Sequence, residues 1–163
     1  QDLLTRNIIH NLLGSFIDNV NSINAIEIAK SRNIKISTLQ NDQPSEYNTL
    51  IRLTLTTDRR SRSVAGSIFG GQSRIVEIKG IKIDAELGNF NVYLTNKDKV
   101  GVINSVTQVL TKNNINIATF NLGRVSPEGE AIALIQTDQI CDEPILNYLR
   151  KIKNVNQVKS IVI

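Results

Sequence analysis

The sequence has no Trp or Met and contains one cysteine, Cys141, and one histidine, His10. A single thiol excludes an internal disulfide framework and a thiolate zinc cluster, so we expect no metal site. A reactive Cys–His pair would need both unique residues, and a lone cysteine near a helix start is more often an inert small residue. Aromatic residues make up 4% of the chain. Ile, Leu and Val must therefore build the core, which favours sheet-rich layers.

Long apolar runs are also missing from the chain. No segment approaches the roughly 18 to 20 apolar residues that cross a bilayer, and the amino end lacks the pattern of a signal peptide. We therefore expect a cytoplasmic protein without a membrane partner. The 163 residues, 40% of them hydrophobic, are enough for one ordinary domain or two small ones. A formal net charge of +4 permits an anionic partner without requiring one.

The first half of the chain combines helical and strand patterns. Apolar residues at helical spacing predict a helix over residues 3–20, and "NAIEIAKSR" predicts a second one that ends near Asn33. Strands are predicted at "IKISTL", from Ile34, and at "TLIRLTLTT". A tight hairpin is predicted from Arg74 to Asp84, turning at Lys79 and Gly80. This half, residues 1–88, is expected to form a small α/β domain.

The second half, residues 89–163, has a more regular order. It reads strand, helix, strand, strand, helix, strand, which is the ferredoxin-like βαββαβ arrangement of one antiparallel sheet with two helices on one face. The fold class is therefore α+β, with the domain boundary near Gly88 and Asn89. The segments are "NFNVYLT", a helix from Gly101 to about Asn113, "INIATFNLGRV", "EAIALIQTD", "EPILNYLRKI" capped by Asp142, and "QVKSIVI".

A polar loop, "TNKDKVG", joins the first strand of this half to its helix. Backbone N–H groups and the positive end of the helix dipole at such a junction suit a carboxylate. The Asp98 carboxylate suits an ammonium group, and Gly101 permits close approach of the backbone. The alternative is that Asp98 merely caps the helix. Asn116 is unusual because it lies in a predicted strand between two isoleucines.

Residues 96–124, "NKDKVGVINSVTQVLTKNNINIATFNLGR", resemble an ACT domain, a small regulatory module that binds amino acids. Its usual signature reads Asp-Arg-Pro-Gly-Val, then a helix, then Asn-Ile. Together with "GSFIDNVNSINAIEIAKSRNI" and "RSVAGSIFGGQSRIVEIKGIKIDAEL", in the same order, the chain resembles the C-terminal region of long-form D-3-phosphoglycerate dehydrogenases from about Asn11 to Ile163. In that family an intervening domain precedes the ACT domain.

The resemblance implies a regulatory, non-catalytic part of the enzyme that oxidises 3-phosphoglycerate with NAD in serine biosynthesis. It implies allosteric binding of L-serine, or another small amino acid, between the ACT domains of a homodimer or higher oligomer. It also implies an anion or substrate site in the intervening domain. The implied effector residues are Asn96, Asp98, Lys99, Val100, Gly101 and Asn116, the last from the other subunit, and the implied anion-binding residues are Arg62, Arg74 and Lys79.

The sequence departs from the ACT signature in one place. Val100 stands where proline is usual, which puts the strength of effector binding in doubt, because proline would pre-set the first helical φ. The chain also has no G-x-G-x-x-G after a strand, and its "FGGQSR" lies between strands. We therefore expect no catalytic residue and no cofactor in this chain, with NAD bound by the parent enzyme.

Three alternatives remain for the function. An RNA-binding module of the same fold would need stacking aromatics on its central strands, which "AIALIQT" lacks, so we expect no nucleic-acid partner. The regulatory part of an iron–sulfur L-serine dehydratase shares a similar pair of domains, although one cysteine cannot ligate a cluster. A dimerisation module without ligand is the third, with the apolar "SIVI" as the predicted sheet edge.

Overall fold

A computed structural model describes residues 2–40, 46–47 and 49–163. The chain divides into two compact units, Gln1–Gln43 and Pro44–Ile163. The predicted domain boundary near Gly88 falls inside the second unit, between its two sheets. Among the described residues, no helix is both long and apolar enough to cross a membrane.

The first unit contains a pair of helices, α1 (Asp2–Gly14) and α2 (Ala25–Ser31). Ile9 and Leu13 of α1 are buried in one cluster with Ala25 and Ala29 of α2. The alanines present little side-chain volume, so the larger residues can approach the α2 backbone closely. The helix pair is therefore stabilised by burial of a narrow apolar stripe.

The first predicted helix is shorter than the sequence pattern suggests. It ends at Gly14 rather than at residue 20, and turns follow over 15–19, where Asn19 has a left-handed φ of 61°. Glycine is a poor helix former, and Phe16, which the pattern assigned to the buried stripe, is 83% exposed. The predicted second helix is confirmed, since it ends before Asn33, which has a φ of 57°.

The predicted strand "IKISTL" is wrong. Residues 34–40 form neither helix nor strand. Ile34 and Ile36 are instead partly buried against the helix pair of the first unit. The alternating isoleucines therefore cover the helix pair. Among the described residues, this segment forms no strand pairing.

The second unit begins with a four-stranded antiparallel sheet in chain order. The predicted hairpin is confirmed, because Lys79 and Gly80 both have positive φ values, 53° and 79°, as a two-residue type I′ turn requires. The strand predicted at "TLIRLTLTT" is confirmed as the first strand and lies at one edge. The strands are β1 (Leu50–Thr56), β2 (Ser61–Phe69), β3 (Gln72–Ile78) and β4 (Ile81–Glu86).

The remainder of this unit has the predicted ferredoxin-like fold. Its antiparallel sheet has the order β6-β7-β5-β8, so the first and third strands of the βαββαβ motif are central and β6 and β8 are the edges. The final strand is therefore an edge, as predicted. The elements are β5 (Phe90–Lys97), α3 (Val102–Lys112), β6 (Ile117–Arg124), β7 (Glu130–Thr137), α4 (Glu143–Arg150) and β8 (Val155–Val162).

One face of this sheet is covered by α3 and α4. Val106 and Leu110, one helical turn apart on α3, are buried against Val92 and Leu94 of β5, and Leu149 of α4 joins the same cluster. Complete burial of a Leu or Val side chain contributes about 1.5–3 kcal/mol. This cluster positions the start of α3 beside the end of β5.

The opposite face of the sheet is covered by β4. Ile81 and Ile83 of β4 are buried in one cluster with Ile132 and Leu134 of β7. The two sheets approach closely at Gly123 of β6, where an added Cβ would lie 2.3 Å from the backbone oxygen of Lys82. Only glycine leaves room for that backbone oxygen.

Replacing Gly123 by alanine should destabilise the second unit. The new methyl group would meet backbone rather than a flexible side chain, so strands must shift apart, at a cost of about 1–3 kcal/mol. Urea denaturation followed by circular dichroism measures this change. The control is Gly14→Ala, whose methyl group meets no atom closer than 3.8 Å. Equal stability of the two variants would contradict the close approach of β4 and β6.

Candidate functional site

The loop between β5 and α3, residues 98–101, lies at the rim of the second sheet. Gly101 precedes the first residue of α3 with a left-handed φ of 88°, a conformation that L side chains rarely adopt. No side chain caps this helix start. The alternative interpretation of Asp98 as the helix cap is therefore wrong. Val100, which stands where the ACT signature has proline, is fully exposed.

Asp98 forms an ion pair within its own chain. Its Oδ2 accepts a hydrogen bond from Nη1 of Arg124, the last residue of β6, at 2.7 Å. The Asp98 side chain is 24% exposed and the Arg124 side chain 54% exposed, so solvent reaches the pair. Sequence reasoning missed Arg124 because only the pairing of β6 with β7 brings it beside Asp98.

Two further contacts hold this loop against the turn between β6 and β7. The Asp98 N–H donates to the Gly129 carbonyl at 2.8 Å. Lys99 Nζ lies 2.9 Å from a carboxylate oxygen of Glu128. The position of the loop is therefore set by a backbone hydrogen bond as well as by ion pairs.

Asn96, near the end of β5, is 4% exposed. Its Nδ2 donates to the backbone oxygen of Lys97 at 2.7 Å. An amide carries a second N–H and an acceptor oxygen, so Asn96 keeps hydrogen-bonding capacity beside the loop.

Asn116 lies at the other end of the sheet. Its Nδ2 donates to Asp138 Oδ2 at 2.6 Å, and the Asp138 N–H donates to the Asn116 carbonyl at 3.2 Å. Asp138 follows Thr137, which pairs with Phe90, the first residue of β5, whereas Asn96 lies six residues further along β5. At about 3.3 Å per residue this separation is about 20 Å. One chain therefore does not bring Asn116 to the β5–α3 loop.

Two of the three predicted anion-binding residues line one cleft of about 430 Å³. Arg62 donates to the Ser61 carbonyl at 3.0 Å and has no carboxylate within ion-pair distance in the described part of the chain. Lys79 lies 3.4 Å from Glu130 and 5.8 Å above the centre of the Tyr93 ring. Glu77 and Glu130 also line the cleft, and among the described residues Arg62 is the lining cation that forms no ion pair.

The third predicted residue, Arg74, is not part of this cleft. Its Nε contacts Asp84 Oδ1 at 2.5 Å, across β3 and β4. The lining instead includes Arg52, which pairs with Glu77 at 2.8 Å and which the sequence prediction omitted. Arg52 lies on β1 and its partner Glu77 lies on β3. The two residues come together only because β1 and β3 are both paired with β2 in the sheet.

Cys141 is buried, and burial raises the pKa of its thiol, an effect that a hydrogen bond with Thr137 partly offsets. A thiol held in its neutral form is a poor nucleophile and a poor metal ligand. Among the residues that the structure describes, no group of three or more His, Cys, Asp and Glu side chains is placed to hold a metal ion.

Comparison with known proteins shows what the chain is similar to. Residues 1–79 match the family model of the D-3-phosphoglycerate dehydrogenase intervening domain. D-3-phosphoglycerate dehydrogenase of Bacillus subtilis is 34% identical over 162 residues, 97% of this chain and 30% of that protein. The Methanocaldococcus jannaschii enzyme is 28% identical over 161 residues, 98% of this chain and 30% of that protein.

Two other similarities extend the comparison. A probable L-serine dehydratase beta chain of Bacillus subtilis is 29% identical over 138 residues, 84% of this chain and 63% of that protein. The ACT domain from GTP pyrophosphokinase of Chlorobium tepidum is 23% identical, covering 44% of this chain and 95% of that one, with a TM-score of 0.35.

Strand order defines the part of the second unit from β5 to β8 as a ferredoxin-like βαββαβ fold. The chain spans about 30% of the length of the dehydrogenases it matches. Residues 1–79 are similar to the D-3-phosphoglycerate dehydrogenase intervening domain, and the whole chain is similar to the C-terminal part of such a dehydrogenase.

Cys141 should react slowly with iodoacetamide in the folded protein. Burial both shields the sulfur and lowers the thiolate fraction near neutral pH, so labelling should be at least about tenfold slower than in the urea-unfolded chain. Labelling measured by mass spectrometry, with the unfolded chain as control, tests this. Equally fast labelling of both states would contradict the buried position.

Proposed function

We propose that this chain regulates a D-3-phosphoglycerate dehydrogenase by binding L-serine, the end product of the pathway, at the β5–α3 loop. The observation that carries this proposal is the partly exposed Asp98 carboxylate beside the start of α3. The parent enzyme oxidises 3-phosphoglycerate with NAD in the cytoplasm, and its catalytic residues and cofactor lie outside this chain. The chain itself is a sensor of the product.

The loop suits the two charged groups of an amino acid. An ionised carboxylate such as Asp98 accepts strong hydrogen bonds from an ammonium group. The first N–H groups of α3 have no acceptor within the helix, and the dipole there favours an anion such as the effector carboxylate. Asn96 adds an amide that can bond a hydroxyl. The loop backbone contributes further contacts to the effector, at Lys99, Val100 and Gly101.

Asn116 joins this site if two copies pair through β6. Because β6 is an edge strand, a two-fold axis can pair it antiparallel with the same strand of a second copy. The beginning of one β6 then lies beside the end of the other. Asn116 of one copy thereby approaches Arg124 of the other, which is bonded to Asp98. We therefore infer a homodimer in which each site uses both chains.

L-serine should bind the purified chain, and Asp98→Asn should weaken that binding by about 1.5–3 kcal/mol, the usual contribution of a hydrogen bond to a charged group. Isothermal titration calorimetry measures the change. The matched control is Glu143→Gln, which removes a carboxylate that also pairs with an arginine, Arg150, but lies on α4. Unchanged serine affinity in Asp98→Asn would count against the ammonium contact. No heat from folded wild-type dimer would favour the ligand-free dimerisation module.

Mixed dimers test whether each site is shared between chains. Asp98→Asn and Asn116→Ala homodimers should both bind poorly. After unfolding and refolding as an equal mixture, half of the dimers contain one chain of each kind, and each of these has one intact site. About a quarter of all sites should then regain wild-type affinity. No recovery would place Asp98 and Asn116 contributions within single chains or outside the site.

A second ligand, an anion such as 3-phosphoglycerate or phosphate, is proposed for the cleft lined by Arg62 and Lys79. The Arg62 guanidinium, which forms no ion pair among the described residues, supports it, since arginine binds phosphate oxygens in a planar, bidentate manner. Lys79 would add a second charge once its contact with Glu130, at 3.4 Å, is exchanged for the ligand.

Phosphate in excess should raise the melting temperature, because a ligand that binds only the folded state stabilises it. Arg62→Gln should abolish this rise. Arg74→Gln is the matched control and should preserve it, since Arg74 pairs with Asp84 outside the cleft. Scanning calorimetry at constant ionic strength, with chloride replacing phosphate, separates the site from general salt effects. Equal loss in both variants would contradict a site at Arg62.

The regulatory part of an L-serine dehydratase is the second candidate, favoured by the similarity to the Bacillus subtilis beta chain. It would also bind serine, so the titration alone does not separate the two. The match of residues 1–79 to the intervening domain of the dehydrogenase favours the first candidate.

A further inference from the structure

The ion pair between Asp98 and Arg124 uses only part of each side chain. One nitrogen, Nη1, donates to one oxygen, Oδ2, at 2.7 Å. A guanidinium carries five N–H donors, and a carboxylate has two oxygens. The pair therefore retains a negatively charged acceptor and several positively charged donors, side by side on a partly exposed surface.

The loop is also held in place by contacts that do not involve this pair. The Asp98 N–H already donates to the Gly129 carbonyl, and Lys99 already pairs with Glu128. An ion pair with a half-exposed arginine contributes little to stability, because water competes for both groups. A role in recognition accounts better for a charged pair at this position than a role in folding.

An α-amino acid is a zwitterion whose ammonium and carboxylate groups lie on the same carbon atom. An adjacent carboxylate and guanidinium present the complementary arrangement of charges. We propose that Arg124 is a specificity-determining residue that binds the α-carboxylate of the effector while Asp98 binds its ammonium group. This inference rests on the proposed serine site. It adds Arg124 as a contact to the effector carboxylate, which the start of α3 alone would otherwise bind.

Arg124 then makes the site selective for zwitterions. A ligand with only an ammonium group would contact Asp98 while leaving Arg124 without its second anion. A ligand with only a carboxylate would face the repulsion of Asp98. L-serine should therefore bind far more tightly than ethanolamine, which keeps the ammonium and hydroxyl groups but lacks the carboxylate.

Calorimetric titration of wild type, Arg124→Gln and Arg124→Lys with L-serine and with ethanolamine tests the proposal. In Arg124→Gln, the serine affinity should fall at least about tenfold, as expected for loss of a charge-assisted hydrogen bond. Ethanolamine affinity should stay equal or rise, because a competing cation has been removed from Asp98. Arg124→Lys should recover part of the serine affinity. Melting temperatures show whether each variant is folded.

The control variant is Arg150→Gln, which removes the arginine of the Glu143 pair on α4 and should leave both affinities unchanged. Unchanged or tighter serine binding by Arg124→Gln would overturn the proposal, since Arg124 would then be a bystander or a competitor for Asp98. Equal loss of serine and ethanolamine binding would overturn it as well, because the effect would lie in the loop's conformation. Absence of serine binding in wild type would overturn the proposed function and this inference together.

Discussion

Burial of the central strands β5 and β7 on both faces is the constraint on which the second unit depends. Helices α3 and α4 cover one face, and β4 covers the other, so residues 131–135 of β7 are buried without interruption. This two-sided packing requires the close approach at Gly123. In β5 and β7 the exposed residues are Lys97 and Glu130, which lie at the same end of the sheet. The β5–α3 loop and the turn after β6 lie at that end, and they meet because β5 and β7 are paired in register.

The turn between β6 and β7 links the two candidate binding regions. Glu128 pairs with Lys99, and Gly129 accepts from the Asp98 N–H, on the side of the β5–α3 loop. Glu130 contacts Lys79, on the side of the cleft. Three consecutive residues therefore contact both regions, which are built from different sheets of one unit. The arrangement explains why two segments far apart in the chain share one rim of the fold.

Local patterns predicted those elements whose geometry is set by neighbouring residues. The four-residue spacing of Val102, Val106 and Leu110 defines α3, and the Lys79–Gly80 turn defines the β3–β4 hairpin. The predicted helix over 3–20 was too long because an apolar stripe indicates burial and not backbone conformation: Ile17 and Val20 pack against the helix pair although α1 ends at Gly14. "IKISTL" alternates as a strand does, yet its isoleucines cover helices. An alternating pattern indicates that one side of a segment is buried, but it does not show whether a helix or a strand covers that side.

The sequence by itself determined the order of strands and helices in the ferredoxin-like half and the polar character of the loop before α3, because both follow from local spacing and residue chemistry. Tertiary structure decided which charges meet. It paired Asp98 with Arg124, separated Arg74 from Arg62, and placed Asn116 at the opposite end of the sheet from Asp98. Those outcomes depend on strand register, which is set by contacts between residues distant in sequence and by the packing of both sheet faces.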